Sequence, residues 1–168
     1  MSPERTRTVT WNDPALTAAA AQGRTGLAFL GAILEGIAPP APIQAILGFE
    51  LVAAEDGVAR FRLVPGEHHL NPMAGVHGGV ACTLLDSAMS SAVMTTLDEN
   101  TGYVTADIMV HLTRPITTKT GPITAEGRVV HRGNRVATAE GRLTDVEGRV
   151  LAHATTTCVL VERTVRSS

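Results

Sequence analysis

With 168 residues the chain has room for one hydrophobic core and little for a second, and 44% hydrophobic against 18% charged residues excludes intrinsic disorder. Fourteen Lys and Arg against 16 Asp and Glu give a net charge of −2, which removes any global electrostatic pull toward nucleic acid or an anionic membrane. Two cysteines, Cys82 and Cys158, without a CxxC or a His/Cys cluster at zinc spacing, imply neither a disulfide framework nor a metal site.

The first dozen residues are polar and carry no apolar leader segment, so a cytoplasmic protein is expected. Asp13-Pro14 predicts an N-cap followed by proline at the first helical position. Apolar residues then recur at three- and four-residue steps to Ile37, with Gly23 and Gly26 placed to divide the run into two helices and Pro39, Pro40 and Pro42 to end it. Ile43 to Ala53 reads as a strand, Glu55-Asp56-Gly57 as a hairpin turn, and Val58 to Val64 as the returning strand. A loop holding His68, His69, Asn71, Pro72 and Gly75 leads into His77-Gly78-Gly79 and a helix to about Leu97. Four long strands follow, roughly Tyr103 to Arg114, Ile123 to Arg132, Arg135 to Asp145 and Arg149 to Glu162, expected to run as a meander.

This order predicts an α+β fold with an antiparallel sheet. Residues 77–97 comprise 11 apolar residues, 8 Gly, Ser or Thr, and only His77 and Asp86 besides, so the helix must be wrapped on most sides. Strands of a dozen residues span roughly 40 Å, enough to curl around a helix of about 30 Å. The expected architecture is a curved antiparallel sheet around a long central helix, with an extra N-terminal helical region. Its expected divisions are an N-terminal tail and helical extension over 1–42, the core over 43–163 and a C-terminal tail over 164–168. The apolar helix carries Asp86 and many small polar residues, so no membrane span is expected.

Asp86 is the only acid between Glu67 and Asp98, and an unpaired carboxylate on so apolar a helix would be costly. Such a group is a candidate general base or nucleophile, and the sequence leaves both open. Gly78 and Gly79 stand where the helix begins, so their amides lack intrahelical partners and could hold an oxyanion. Gly78 and Asp86 are eight residues apart, about 12 Å along a helix, too far to serve one reacting carbon. Two antiparallel helices of a twofold dimer would bring Gly78 of one chain near Asp86 of the other and make two equivalent composite sites. Arg128, Arg132 and Arg135 gather around the Gly133-Asn134 turn with no intervening acid, a candidate site for phosphates. Arg114-Pro115 is either a further contact or the end of a strand.

The segment His69-Leu70-Asn71-Pro72-Met73-Ala74-Gly75-Val76-His77-Gly78-Gly79, followed by Thr83-Leu84-Leu85-Asp86 and Tyr103-Val104-Thr105-Ala106-Asp107, resembles the PaaI-type (phenylacetate-pathway) acyl-CoA thioesterases of the hotdog fold. The resemblance runs from about Ile43 to Glu162. It implies hydrolysis of an aryl- or medium-chain acyl-CoA to free acid and CoA, by a homodimer as the minimal active unit and usually a homotetramer. Asp86 would be the catalytic carboxylate, Asn71 and the Gly78 amide would polarise the carbonyl, and Thr105 would orient the attacking water. His77 would cap the helix or assist the leaving thiolate. Arg128, Arg132, Gly133, Asn134 and Arg135 would bind coenzyme A, which is part of the substrate, so no separate cofactor is implied. Rival readings are a hotdog enoyl-CoA hydratase or dehydratase, and a non-enzymatic acyl-CoA sensor. The first is only partly matched, because His69-Leu70-Asn71-Pro72 has no Asp before the Asn. The second lacks a basic recognition helix near the N-terminus, and the chain retains Asp86.

Overall fold

A computed structural model of the chain describes residues 3–163; the expected C-terminal tail, 164–168, lies outside the described residues. Two short helices come first, α1 over Pro14–Ala21 and α2 over Gly26–Leu34. Asp13 caps α1 by accepting from the Ala15 amide, and Thr25 caps α2 by accepting from that of Ala28. The division at Gly23 and Gly26 is therefore as expected.

The next segment corrects the sequence reading. Ile43 to Leu47 is not strand: Pro42–Leu47 form a third helix, α3, which starts on Pro42 and stops at Gly48 in the left-handed conformation. Proline at the first helical position and glycine just past the last are helix punctuation, and the short, mostly apolar run between them masks it. Strand β1 begins only at Phe49 and runs to Glu55, pairing with β2, Val58–Leu63, across the expected turn at Gly57.

The long helix α4 spans Gly78–Thr95, and eleven of its 18 residues are buried. Strands β3 (Thr101–Leu112), β4 (Ile123–Arg132), β5 (Val136–Asp145) and β6 (Val150–Glu162) complete one antiparallel six-stranded sheet in the order β1-β2-β4-β5-β6-β3. The expected meander holds only for β4, β5 and β6. Strand β3 instead takes the edge beyond β6 and pairs with it. The core lies where the sheet closes on α4, with Leu84, Leu85, Met89 and Val93 packed among Leu63, Ile123 and Leu143, all with essentially no exposure. Two glycines permit the approach. A Cβ on Gly127 would fall 2.2 Å from the Ala88 carbonyl oxygen, and one on Gly26 would fall 1.8 Å from that of Met94. Gly26 also donates its amide to the Leu97 carbonyl, fixing α2 to the end of α4.

Strand β3 carries an irregularity at Ala106, which is skipped between the pairs Thr105 with Cys158 and Asp107 with Thr157. Before it, odd-numbered Tyr103 packs on the core; after it, even-numbered Val110 does. The extra residue has switched which positions face α4. Among the described residues no helix is long and apolar enough to cross a membrane.

Candidate active site

Asp86 sits half-buried in the middle of α4. The Thr105 hydroxyl donates to its Oδ1 at 3.2 Å from the facing strand β3. Tyr103, two residues earlier on the same face, is half-buried; desolvation pushes its hydroxyl pKa up, and the nearby Asp86 charge adds to the rise while a hydrogen bond with Ser90 opposes it. Cys158 lies beneath, opposite Thr105, and burial likewise raises its thiol pKa. Asp86 thus faces a strand that supplies hydroxyls and no cation, which keeps the carboxylate free to take a proton or attack.

A second cluster forms at the start of α4. His77 is the N-cap, and its Nδ1 accepts from the Gly79 amide at 2.9 Å. A side chain on Gly79 would come within 3.0 Å of that imidazole, so glycine here preserves the cap. Asn71 makes a tight turn: its Oδ1 accepts from the amides of Met73 at 2.9 Å and Gly75 at 3.2 Å. Its oxygen occupied, the side chain retains the amide N–H₂ as a donor. Asn71, His77 and Gly78 line one open cavity of about 320 Å³, closed on the other side by Leu112, Arg114 and Ile116. The switch at Ala106 is what lets β3 present Thr105 to Asp86 and Leu112 to this cavity.

The structure therefore gathers Asn71, His77 and Gly78 in one place and Asp86 with Thr105 in another, eight helical residues away. The arginine group is separate from both. Arg132, Gly133, Asn134 and Arg135 surround the β4–β5 turn, where Arg132 bonds back to the Gly133 carbonyl. Arg128 stands further along β4 and pairs with Glu126 at 3.1 Å, with Glu140 opposite it in register. Folding thus supplies Arg128 with acids that are absent between the arginines in sequence. His69 is structural: Nδ1 accepts from the Gly66 amide at 2.9 Å and Nε2 bonds the Leu47 carbonyl at 2.7 Å. Tyr103 stands in the motif without a role and Ser90 stands outside it, so neither is expected at the site. Period-two alternation back from Thr105 and a one-turn step on from Asp86 are the signals that place them beside the carboxylate.

A family model for the thioesterase superfamily matches residues 73–152. The "Putative esterase" of Saccharolobus solfataricus is 33% identical over 119 residues, covering 70% of this chain and 77% of that protein. The chain belongs to the thioesterase superfamily. Among solved structures, a mutant of the phenylacetic acid degradation protein PaaI from Thermus thermophilus shares 25% identity, with a TM-score of 0.65, 71% of this chain and 98% of that one being covered. A Streptococcus mutans protein bound to acetyl-CoA has the same fold at 22% identity, with a TM-score of 0.62 over 68% of this chain and 90% of that one. The PaaI-type resemblance and the hotdog fold expected from the sequence are borne out, and this thioesterase is a hydrolase acting on thioester bonds.

Proposed function

We propose that this thioesterase hydrolyses aryl- or medium-chain acyl-CoA at two equivalent sites, each shared by the two chains of a homodimer. The observation that carries the reading is the separation of a half-buried carboxylate, Asp86 with Thr105, from the donors at Asn71 and Gly78 along a single helix. Chains related by a twofold axis, with their α4 helices antiparallel, would unite the two halves. The fold neighbour that holds acetyl-CoA supports the ligand class.

In the composite site the Gly78 amide, at the positive end of α4, and the Asn71 amide group polarise the thioester carbonyl and hold the oxyanion. In the general-base route, Asp86 takes a proton from water held by Thr105 while the water oxygen bonds the carbonyl carbon. The carbon–sulfur bond then breaks, and the thiolate takes up the proton as the acid departs. In the nucleophilic route, Asp86 bonds the carbon first, expels the thiolate and leaves an anhydride that water cleaves. His77 Nδ1 is committed to the Gly79 amide, which leaves Nε2 as its group for the leaving thiolate. Arg132, Asn134 and Arg135, with Gly133 shaping their turn, are the proposed contacts for the phosphates of coenzyme A, and Arg128 would join them only by leaving Glu126. Two such dimers would make the tetramer.

Thiol release from a panel of aryl- and alkyl-CoA thioesters tests the proposal. Saturable turnover is expected for the wild type, with a loss of about 10²- to 10⁴-fold in a folded, dimeric Asp86→Asn. Equal background rates for the two proteins across the panel would overturn it.

A further inference from the structure

A second cavity lies beside Asp86, lined by its neighbours and not by the carboxylate itself. Ser87 and Ser90 of α4 and Tyr103 of β3, the residues beside the carboxylate, line a half-open chamber of about 170 Å³ that also touches Phe29 and Ile33 of α2. Its far side is formed by Ile33, Gln44, Phe49 and Leu51, and these same four residues line a larger surface groove of about 590 Å³ on their other side. Bordering both cavities, they form the partition between them. All four precede residue 73, where the family match begins, and two of them come from the helices ahead of β1. A cavity of about 150 Å³ with aliphatic and aromatic walls is enough to admit one benzene ring. The chamber therefore takes a single ring or a chain of about six carbons, and a longer chain meets the partition.

We propose that this chamber receives the acyl group and that Ile33, supplied by the N-terminal extension, sets the limit on its length. The inference rests on the acyl-CoA reading above. Ile33 is the member of the partition that can be shortened at least cost, since it is half-buried on a helix fixed independently by Gly26. Shortening it joins the chamber to the groove, whose walls carry Leu34, Pro40 and Val64 beside Glu50 and Arg62, so a longer chain gains a path outward. The walls near Asp86 are hydroxylated by Ser87, Ser90 and Tyr103, and those at the partition are apolar except for Gln44, which suits an acyl group with its carbonyl end toward Asp86.

The experiment compares hexanoyl-, phenylacetyl- and decanoyl-CoA turnover in the wild type, Ile33→Ala and, as a control on the exposed side of the same segment, Ile37→Ala. In parallel it measures binding of the thioethers S-hexyl-CoA and S-decyl-CoA, which cannot be hydrolysed. The wild type should prefer the short and ring-bearing groups, and Ile33→Ala should raise the decanoyl-to-hexanoyl ratio of kcat/KM at least 10-fold, with the same change in the thioether affinities, while Ile37→Ala leaves both ratios unchanged. An unchanged ratio in a folded Ile33→Ala, or a wild type that already favours the ten-carbon ligands, overturns the chamber. Thioether binding that follows the length rule in a protein without turnover upholds the chamber and overturns the hydrolytic reading instead.

Discussion

Thr105 shows how a single hydroxyl separates orientation from chemistry. Its bond to Asp86 is the one polar contact that β3 makes with the carboxylate, and a hydrogen bond to a charged group is worth about 1.5–3 kcal/mol. Thr105→Val, which keeps the shape, should lower kcat about 10- to 100-fold, and Thr105→Ser should restore most of it; equal kcat in all three proteins would remove Thr105 from the reaction. Asp86 was legible in the sequence because it is out of character with its surroundings, an acid in an apolar helix, whereas an amide before proline reads as a turn and Asn71 entered only through the resemblance. The contact between Asp86 and Thr105, 19 residues apart, depends on pairing across the fold. No spacing along the chain encodes it; the family pattern supplied the expectation.

At the scale of elements, the β5–β6 turn carries a polar anchor. Asp145, whose side chain is almost fully enclosed, accepts from the amides of Glu147 and Arg149 and from the Arg149 guanidinium at 2.7 Å. Burial by itself would raise its pKa, but these donors outweigh burial and hold the carboxyl below its ordinary value of 3.8. A folded-state pKa below the unfolded one gives stability that is complete above the ordinary value and lost as pH falls through the depressed one. Asp145→Asn should therefore be less stable at neutral pH and should lose less stability than the wild type between about pH 5 and pH 2, as denaturant titrations at each pH would record. Element types were largely legible because caps, turns and apolar periodicity agree locally. The failures were α3, a short and mostly apolar run that runs on into a real strand, and β3, whose pairing with β6 no local pattern encodes.

For the whole molecule, the exposed edge belongs to β3, where Val104 and Met109 are 58% and 60% exposed. A long apolar edge strand invites pairing with a second copy, and charge placed on it prevents that pairing. The double substitution Val104→Lys and Met109→Lys touches side chains that a lone chain already leaves in water, so folding should survive. Sedimentation should then show monomers, and turnover should fall with the dimer fraction; full activity in a monomer would defeat the shared site.

The irregularity at Ala106 also carries a consequence for how this strand can change over evolution. Strand β3 behaves like a text whose reading frame shifts once. Thr105 is in frame with Asp86 before the shift, and Leu112 is in frame with the mouth of α4 after it. Loss of one residue at this point would restore a regular strand and leave only one of the two messages readable. Gain or loss of two residues elsewhere would preserve both frames. The two halves of the site can therefore drift in distance but not in parity, and Ala106, whose methyl group has no chemistry to offer, is the residue that holds them to it.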